Sequence, residues 1–367
     1  MKTISDFKQG NLRQGNLSQG DLYHDYLPVV ELTRGAITES VHLGSIAVVD
    51  ADGHLLASYG NADTVTFLRS SAKPIQAISF VEDGGMEAFD FTEEELSLIC
   101  ASHHGTDDHA KTAASMQKKI GVSEDDLLCG VHWPSDHATA NAMLLRNEKP
   151  TPNRHNCSGK HTGMLANCRL HGFPIADYIQ ADHPLQQLIL KVNCEMWNMP
   201  AEEVEIGIDG CSVPVFGISL YKAALGFARL CDPADLPEQR AAACRRITSA
   251  MTTYPRMIAN DGSFDTELMR TGQGRLVCKA GAEGFRNIGI MPGVTGFSGR
   301  GIGIAMKILD GDQRGGITSL VAMEVLRQLG AISVRDMDQL KEFDTRPIKN
   351  WRGLEVGVIR PVFSLTF

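Results

Sequence analysis

"VHLGSIAVVDADGHLLASYG", residues 41–60, predicts a β-hairpin. An apolar strand comes first, a turn at Asp52 and Gly53 follows, and the second strand alternates apolar and polar residues. Strand patterns recur towards the other end of the chain, near residues 275–279, 287–291 and 301–309. Helical patterns lie between the two groups of strands. Because there is no regular βαβ alternation, we expect a mixed α+β fold within the broad α/β class.

The helical patterns have recognisable ends. "TEEELSLICAS", residues 92–102, opens with a capping box of Thr92 and Glu95. The pattern over residues 108–120 ends at Gly121, a residue that favours helix termination. Further helices are predicted over 70–82, from a Ser158 cap to Gly172, from Asp182 and Pro184 to about Asn198, and near 218–231, 237–253 and 317–329. "EVEIGIDGC", residues 203–211, is expected to be a short strand that ends in a turn.

Size and composition indicate one folded domain. The chain has 367 residues, of which 43% are hydrophobic and 22% charged, as is typical of globular proteins. Residues 8–22, "KQGNLRQGNLSQGDL", repeat a Q-G-N/D-L unit three times, which is too few units for a solenoid. We therefore expect residues 1–27 to form a flexible N-terminal arm and residues 28–367 to form a single domain.

Charge and cysteine content restrict the partners and the location. The net charge is -9 and no basic cluster occurs, so nucleic acid is not an expected partner. No run approaches the ~18 apolar residues of a membrane span, and the first 27 residues lack the apolar segment of a signal peptide. Nine cysteines without a C-x-x-C pair favour a reducing compartment. We expect a cytoplasmic protein that does not bind membranes.

"LRSSAKPIQA", residues 68–77, contains the S-x-x-K spacing of serine hydrolases that use lysine as a base. If a helix begins at Ser70, Lys73 lies on the same face one turn later. A lysine acts as a base only as the neutral amine, which the positive end of a helix dipole, burial or a second cation would favour. The alternative is a helix-capping serine beside a solvated lysine, and the spacing alone leaves both interpretations open.

In β-lactamases, the S-x-x-K motif is accompanied by S-D-N and K-T-G. The chain has no S-D-N, and its nearest counterpart to K-T-G is Lys279-Ala280-Gly281 in "LVCKAGAEG". A β-lactam hydrolase is poorly supported, although Lys279 at a strand end beside glycines is suggestive. In "CASHHGTDDH", residues 100–109, no two ligands have metal-binding helical spacing. Ser102 is the better candidate there for a polar contact in a site.

"NCSGKHTGM", residues 156–164, is not a phosphate-binding loop, because arginine and histidine stand where that motif needs glycine and serine or threonine. Cys157 and Lys160 are three residues apart at a predicted helix start. "GIDGCSVP", residues 207–214, places Asp209 and Cys211 in a turn after a strand, where site residues often lie. Either cysteine could instead be a small buried hydrophobic residue.

In this order, the segments resemble the asparaginase II family, the Rhizobium-etli-type (class 3) L-asparaginases. The resemblance extends from about Val29 to near the C-terminus. It is carried by "VELTRGAITESVHLGSIAVVDADG", "RSSAKPIQA", "CASHHG", "NCSGKHTGML", "IDGCSVP", "LVCKAGAEG" and "NWRGLEVGVIRPVF". It implies a fold like the serine β-lactamases and glutaminases, a sheet flanked by helices, in a homodimer that hydrolyses L-asparagine to L-aspartate and ammonia.

The resemblance also implies roles for individual residues. Two Ser–Lys pairs would be catalytic, Ser70 with Lys73 and Ser102 with Lys279, and Ser70 would be the nucleophile. Zinc would be held by Cys157, Lys160 and Cys211. The residues expected to bind the substrate are Arg69, His103 and Asp209. The alternatives are a glutaminase or another small-amide hydrolase on the same scaffold, and a non-catalytic zinc-dependent sensor or ligand-binding protein.

Overall fold

The computed structural model describes residues 25–367. The predicted arm, residues 1–27, lies outside the described residues except at its end, where Leu27 already begins the first strand. The ordered fold thus includes the residue immediately before the predicted domain start at residue 28.

Strands occur near both ends of the chain, and most helices lie between them. The strands are β1 (Leu27–Arg34), β2 (Ile37–Asp50), β3 (Leu55–Tyr59), β4 (Val65–Phe67), β5 (Glu205–Ile208), β6 (Pro214–Ser219), β7 (Leu276–Ala280), β8 (Phe285–Ile290), β9 (Ile302–Ile308), β10 (Arg346–Lys349) and β11 (Glu355–Pro361). The α-helices are α1 (Lys73–Gln76), α2 (Ile78–Glu82), α3 (Gly85–Ala88), α4 (Glu93–Ile99), α5 (Asp107–Ile120), α6 (His137–Leu145), α7 (Ser158–His171), α8 (Pro184–Trp197), α9 (Leu220–Cys231), α10 (Glu238–Thr253), α11 (Pro255–Ile258), α12 (Phe264–Gly272), α13 (Ile317–Gln328) and α14 (Val334–Gln339).

Within the described residues, eight strands form one antiparallel sheet. Its order is β10-β11-β1-β2-β9-β8-β7, and β3 also pairs with β2. The predicted hairpin is confirmed, because β2 and β3 pair with Ile46 opposite Tyr59. Gly53 in the turn has a φ of 91°, a conformation that glycine adopts without steric cost. With helices packed against this sheet, the mixed α+β prediction is confirmed.

Helix α9 packs closely against the main sheet because two strand positions are glycine. A Cβ on Gly303 would lie 1.8 Å from the Ala224 carbonyl oxygen, and one on Gly289 would lie 2.3 Å from the Cys231 sulfur. Glycine within a strand permits this close approach of another backbone. The packing fixes β8 and β9, and with them the edge strand β7, relative to the helices.

The predicted helix ends are partly confirmed. Thr92 and Glu95 form the expected capping box at the start of α4. Gly121 and Gly172 end α5 and α7 in the left-handed conformation.

Two predicted helix starts are displaced by one residue. Cys157, not Ser158, occupies the cap position of α7. The Ser158 hydroxyl does not cap the helix because it donates instead to the Asn153 carbonyl oxygen at 3.1 Å. His183, not Asp182, caps α8, and its ring accepts the Leu185 N–H.

A second sheet of three strands, in the order β4-β6-β5, holds two of the candidate segments. Strand β4 leads into the segment that contains Ser70, and the Leu68 N–H donates to the Phe216 carbonyl oxygen of β6 at 2.9 Å. The turn between β5 and β6 contains Asp209 and Cys211. This small sheet therefore brings two distant parts of the sequence to the same place. Across residues 25–367, no helix has both the length and the apolar character needed to cross a bilayer.

Candidate active site

The segment after β4 turns sharply before it becomes helical. Arg69 has a φ of 51°, in the left-handed region that residues other than glycine enter at a cost. Arg69–Ala72 form one turn of 3-10 helix, and the Lys73 N–H donates to the Ser70 carbonyl oxygen. Pro74 follows in the first turn of α1, where a missing N–H is tolerated. The predicted helix over 70–82 is thus a 3-10 turn followed by α1 and α2.

Lys73 is almost completely buried, at 1% exposure. Its Nζ donates to the Ser102 Oγ at 3.0 Å and to the Ala101 carbonyl oxygen. Ser102 follows α4, and its N–H donates to the Ile258 carbonyl oxygen, which holds the serine in place. Among the described residues, no hydrogen bond joins the Ser70 hydroxyl to Lys73. The lysine of the S-x-x-K motif therefore contacts the second candidate serine.

Lys279 lies near the end of β7 and is likewise 1% exposed. Its Nζ donates to the Ala280 carbonyl oxygen at 2.8 Å. In the part of the chain that the structure describes, it makes no hydrogen bond to Ser102. The expected pairing of Ser102 with Lys279 therefore differs from the observed geometry, in which Lys73 takes that place. The Lys73 Nζ donates to Ala101 and Ser102 directly after α4, whereas the Lys279 Nζ donates to Ala280, the next residue of its own strand.

The end of β7 nevertheless packs against the serine-containing turn. Asn287 stands opposite Lys279 in the β7–β8 pairing, and its Nδ2 donates to the Ser71 Oγ at 3.2 Å. A Cβ on Gly281 would lie 2.5 Å from the Leu68 carbonyl oxygen. Glycine at that position thus permits close contact between the two segments.

Burial and a neighbouring charge change the acidity of Lys279. Burial lowers the pKa of Lys279 to about 8, Asp265 opposes this change, and the charge of Lys73 adds to it. The proximity of two buried lysines agrees with the expectation that one ammonium disfavours the other. A neutral amine is therefore accessible at Lys279 near physiological pH.

The predicted metal ligands also lie together. Cys157, Lys160 and Cys211 are all buried, and the Lys160 Nζ donates to the Cys211 Sγ at 2.9 Å. A hydrogen bond from Cys211, together with the charges of Lys73 and Lys160, holds the pKa of Cys157 well below its usual value despite burial. Burial disfavours the Lys160 ammonium, but the interactions with Cys211 and Cys157 outweigh this and raise the pKa of Lys160.

The lysine–serine cluster and the cysteine–lysine cluster are adjacent. A cavity of about 20 Å³ has both Lys73 and Lys160 in its wall. A larger surface groove, of about 560 Å³, lies along α8 and is lined by none of the predicted site residues. We place the candidate site at the two clusters and not at this groove, because no buried lysine among the described residues lines the groove.

Two of the three predicted substrate-binding residues form an ion pair near Ser70. The Arg69 Nε donates to the Asp209 Oδ1 at 2.8 Å, and both side chains remain partly exposed. His103 is different, because it is completely buried and both of its ring nitrogens are used within the protein. Its Nδ1 accepts the Gly105 N–H, and its Nε2 donates to the Ser158 Oγ at 2.8 Å. This geometry gives His103 a role in positioning the start of α7.

Three residues beside the clusters were missed by sequence reasoning. Asn287 could have been found from its register in the predicted β7–β8 hairpin. His155 lies just before the segment 156–164 that the sequence singled out. Its Nδ1 accepts the Cys157 N–H at 3.0 Å. Asp265 is buried beside β7, and only the tertiary structure brings it there.

Solved structures similar to this chain include three of glutaminases. A probable glutaminase from Bacillus subtilis complexed with 6-diazo-5-oxo-L-norleucine is 13% identical, with 78% of this chain and 83% of that chain covered, at a TM-score of 0.37. A further structure of a Bacillus subtilis probable glutaminase is 13% identical over 78% and 88% of the two chains, at a TM-score of 0.38. A Bacillus glutaminase is 13% identical, with 79% of this chain and 92% of that chain covered, at a TM-score of 0.37. Scores of this size carry no inference about activity.

No curated protein matches this chain in sequence. The sequence profile of a family described as L-asparaginase II, however, matches residues 30–361. The matched region contains the two candidate serines, the two buried lysines near them and the cysteine–lysine cluster. It confirms the resemblance inferred from the motifs and identifies the chain as an amidohydrolase. The chain belongs to the L-asparaginase II family.

Proposed function

We propose that this protein is an L-asparaginase that hydrolyses the side-chain amide of L-asparagine through a serine nucleophile and a lysine base. The observation that carries the proposal is the position of buried Lys73. This lysine follows Ser70 by one helical turn, and its Nζ donates to the Ser102 Oγ at 3.0 Å. Lys279 is a second buried lysine nearby, and its lowered pKa makes a neutral amine accessible in this region. Family membership supports amide hydrolysis as the reaction class.

In the proposed reaction, the Ser70 Oγ attacks the side-chain carbonyl carbon of asparagine. Its proton passes to the neutral Lys73 amine, and the same proton then goes to the amide nitrogen, so that ammonia leaves. Water attacks the resulting ester with Lys73 again accepting a proton, which releases aspartate and restores Ser70. Ser102 receives the Lys73 hydrogen bond and holds the amine towards the reacting atoms.

The Lys73–Ser102 hydrogen bond also favours a second assignment, in which Ser102 is the nucleophile. A diazoketone analogue of asparagine would separate the two, because it alkylates the serine that attacks the substrate. We expect peptide mass spectrometry to locate the adduct on Ser70. An adduct on Ser102 would exchange the roles of the two serines without changing the reaction.

The ion pair beside Ser70 suits an amino acid substrate. Arg69 would bind the α-carboxylate and Asp209 the α-ammonium group, so that the zwitterion replaces the pair's internal contact. The distance from these two groups to the nucleophile would then select the length of the side chain. This distance would distinguish asparagine from glutamine, because their side chains differ in length by one methylene group.

The cysteine–lysine cluster is proposed to bind zinc. Cysteine sulfur is a ligand that zinc prefers, and the lowered pKa of Cys157 favours the thiolate form that a metal needs. The hydrogen bond to Cys157 and burial raise the pKa of Cys211, so zinc would have to displace the proton of that thiol. Cys157, Lys160 and Cys211 would hold the ion, although Lys160 must first lose its proton. When bound, zinc would supply a Lewis acid beside the substrate.

The deciding experiment is an assay of ammonia release from L-asparagine and L-glutamine, with Ser70→Ala as the inactive control. Release from asparagine alone supports the proposal, whereas preference for glutamine would make the protein a glutaminase. Binding of either amino acid without hydrolysis would identify a sensor or binding protein. The expected homodimer is checked in the same preparation by light scattering.

A further inference from the structure

Asp265 is a buried carboxylate at the start of α12, with 4% exposure. Its Oδ2 accepts the Ala280 N–H at 2.7 Å, and its Oδ1 accepts the Cys278 thiol at 3.2 Å. Arg286 of β8 forms an ion pair with the same carboxylate. Asp265 therefore holds the residues on both sides of Lys279.

This contact completes the hydrogen bonding of a sheet edge. Strand β7 is the last strand of the main sheet, so one side of its backbone has no neighbouring strand. An N–H that is shielded from water and lacks a partner is costly, and the Asp265 carboxylate supplies that partner for the half-buried Ala280. The position of the strand end, and hence of Lys279, depends on this helix residue.

The same carboxylate acts on the charge of Lys279. Burial lowers the pKa of Lys279, and Asp265 opposes that change. Arg286 lies on the other side of the carboxylate and acts against the Lys279 ammonium. The titratable and charged groups that face Lys279 are Lys73, Cys100, His104, Asp265, Cys278 and Arg286.

We propose that Asp265, paired with Arg286, is a positioning residue that fixes Lys279 at the strand end and balances its charge. The inference rests on the proposed function, in which Lys279 is the second lysine of the site. Asp265 itself touches neither Lys73 nor Ser102 among the described contacts, so its effect on the reaction passes through Lys279.

The two halves of the ion pair make opposite predictions. Asp265→Asn removes a negative charge and leaves Arg286 unpaired, and both changes should lower the pKa of Lys279 by about one unit or more. Arg286→Met leaves the carboxylate unneutralised and should raise that pKa. A merely structural role would destabilise the fold in both variants without moving the titration in opposite directions.

The titration is measured by NMR of lysine labelled at Cε and Nζ, without substrate, with the Lys279 signal assigned from its absence in Lys279→Met. Asp336→Asn is a matched control, since it breaks a carboxylate–arginine pair with Arg275 at the other end of β7. The control should leave the Lys279 titration unchanged. Thermal unfolding identifies variants that have lost their fold.

Opposite shifts for Asp265→Asn and Arg286→Met would support the proposal. An unmoved Lys279 titration in folded Asp265→Asn protein, or equal shifts in the same direction, would overturn it. If Asp265→Asn does not fold, Arg286→Met decides alone, and the absence of an upward shift rejects the proposal. Because no substrate is used, a protein without amidase activity would disprove the proposed function while this titration still tests Asp265.

Discussion

At the scale of single residues, the site is defined by two lysines that lie almost fully inside the protein. Removing an ammonium from water is costly, so burial shifts lysine towards its neutral form. The structure shows the result at Lys279, whose pKa falls to about 8. Lys73 has a similar burial and contacts Ser102, which places a potential base beside a hydroxyl group.

We expect Ser70→Ala and Lys73→Met each to lower kcat by about 10³-fold or more, and the double variant to be no worse than the single variants, because the groups act as a unit. Ser115→Ala and Lys118→Met are matched controls. They have the same three-residue spacing but lie exposed on α5, and their turnover should stay normal. Near-native turnover of Ser70→Ala would remove this serine as the nucleophile.

The pH profile should report Lys279. If its neutral amine is required, kcat/KM rises as the pH passes upward through about 8, because the ammonium predominates below that value. Lys279→Met should remove this limb and reduce the rate. Steady-state kinetics between about pH 6 and pH 10, a range on either side of the lowered pKa of Lys279, would measure both effects. A variant with the original profile would exclude Lys279.

At the scale of elements, the end of α4 and the start of α7 bring the two clusters together. A Cβ on Gly159 would lie 2.3 Å from the Leu98 carbonyl oxygen, and one on Gly163 would lie 2.8 Å from the Ile99 side chain. The helices therefore touch through two glycines that lie on either side of Lys160 in α7, close to the end of α4 that precedes Ser102. Their spacing determines the distance between the clusters.

Gly159→Ala should force these helices apart, because the added methyl group meets backbone and not a flexible side chain. We expect a loss of about 1–3 kcal/mol in the free energy of unfolding and a lower kcat in the molecules that remain folded. Gly121→Ala is the control, since it strains a left-handed helix end but has nothing within 4 Å. It should lower stability and leave kcat unchanged. Denaturant unfolding and active-site titration would separate the two results.

At the scale of the whole molecule, the cysteine–lysine cluster joins two parts of the chain. Lys160 and Cys211 are 51 residues apart in sequence and meet through the second sheet and α7. A metal that bound this arrangement more tightly than it binds the unfolded chain would stabilise the fold. The site is thus expected to couple the positions of α7 and the β5–β6 turn.

Protein purified without chelator should contain zinc, and Cys157→Ser combined with Cys211→Ser should remove it. Zinc affinity should weaken as pH falls, because protons compete for the lysine and the thiolates. Chelation should lower the unfolding temperature. Cys244→Ser is the matched control, since this cysteine is equally buried but lies in α10, away from the cluster. Elemental analysis is the test, and zinc content unchanged by the double substitution would exclude this site.

Much of the fold follows from local patterns in the sequence. The hairpin over residues 41–60, the Thr92–Glu95 capping box and the glycine that ends α5 were predicted because their determinants lie within a few residues of one another. The motifs also selected the residues of the two clusters. What they did not reveal is which lysine contacts which serine, because that depends on how segments 29 residues apart pack together.

Two segments that have the S-x-x-K spacing differ in burial. Ser70 with Lys73 and Ser115 with Lys118 have the same spacing, and each lies on a helical segment, so local sequence does not separate them. Only the tertiary structure buries Lys73 and leaves Lys118 in solvent. Secondary structure and residue chemistry were determined by the sequence itself, because periodicity, capping and side-chain type are local properties. The Lys73–Ser102 contact and the Asp265 support of Lys279 were decided by tertiary packing, because burial and proximity arise only when distant segments meet.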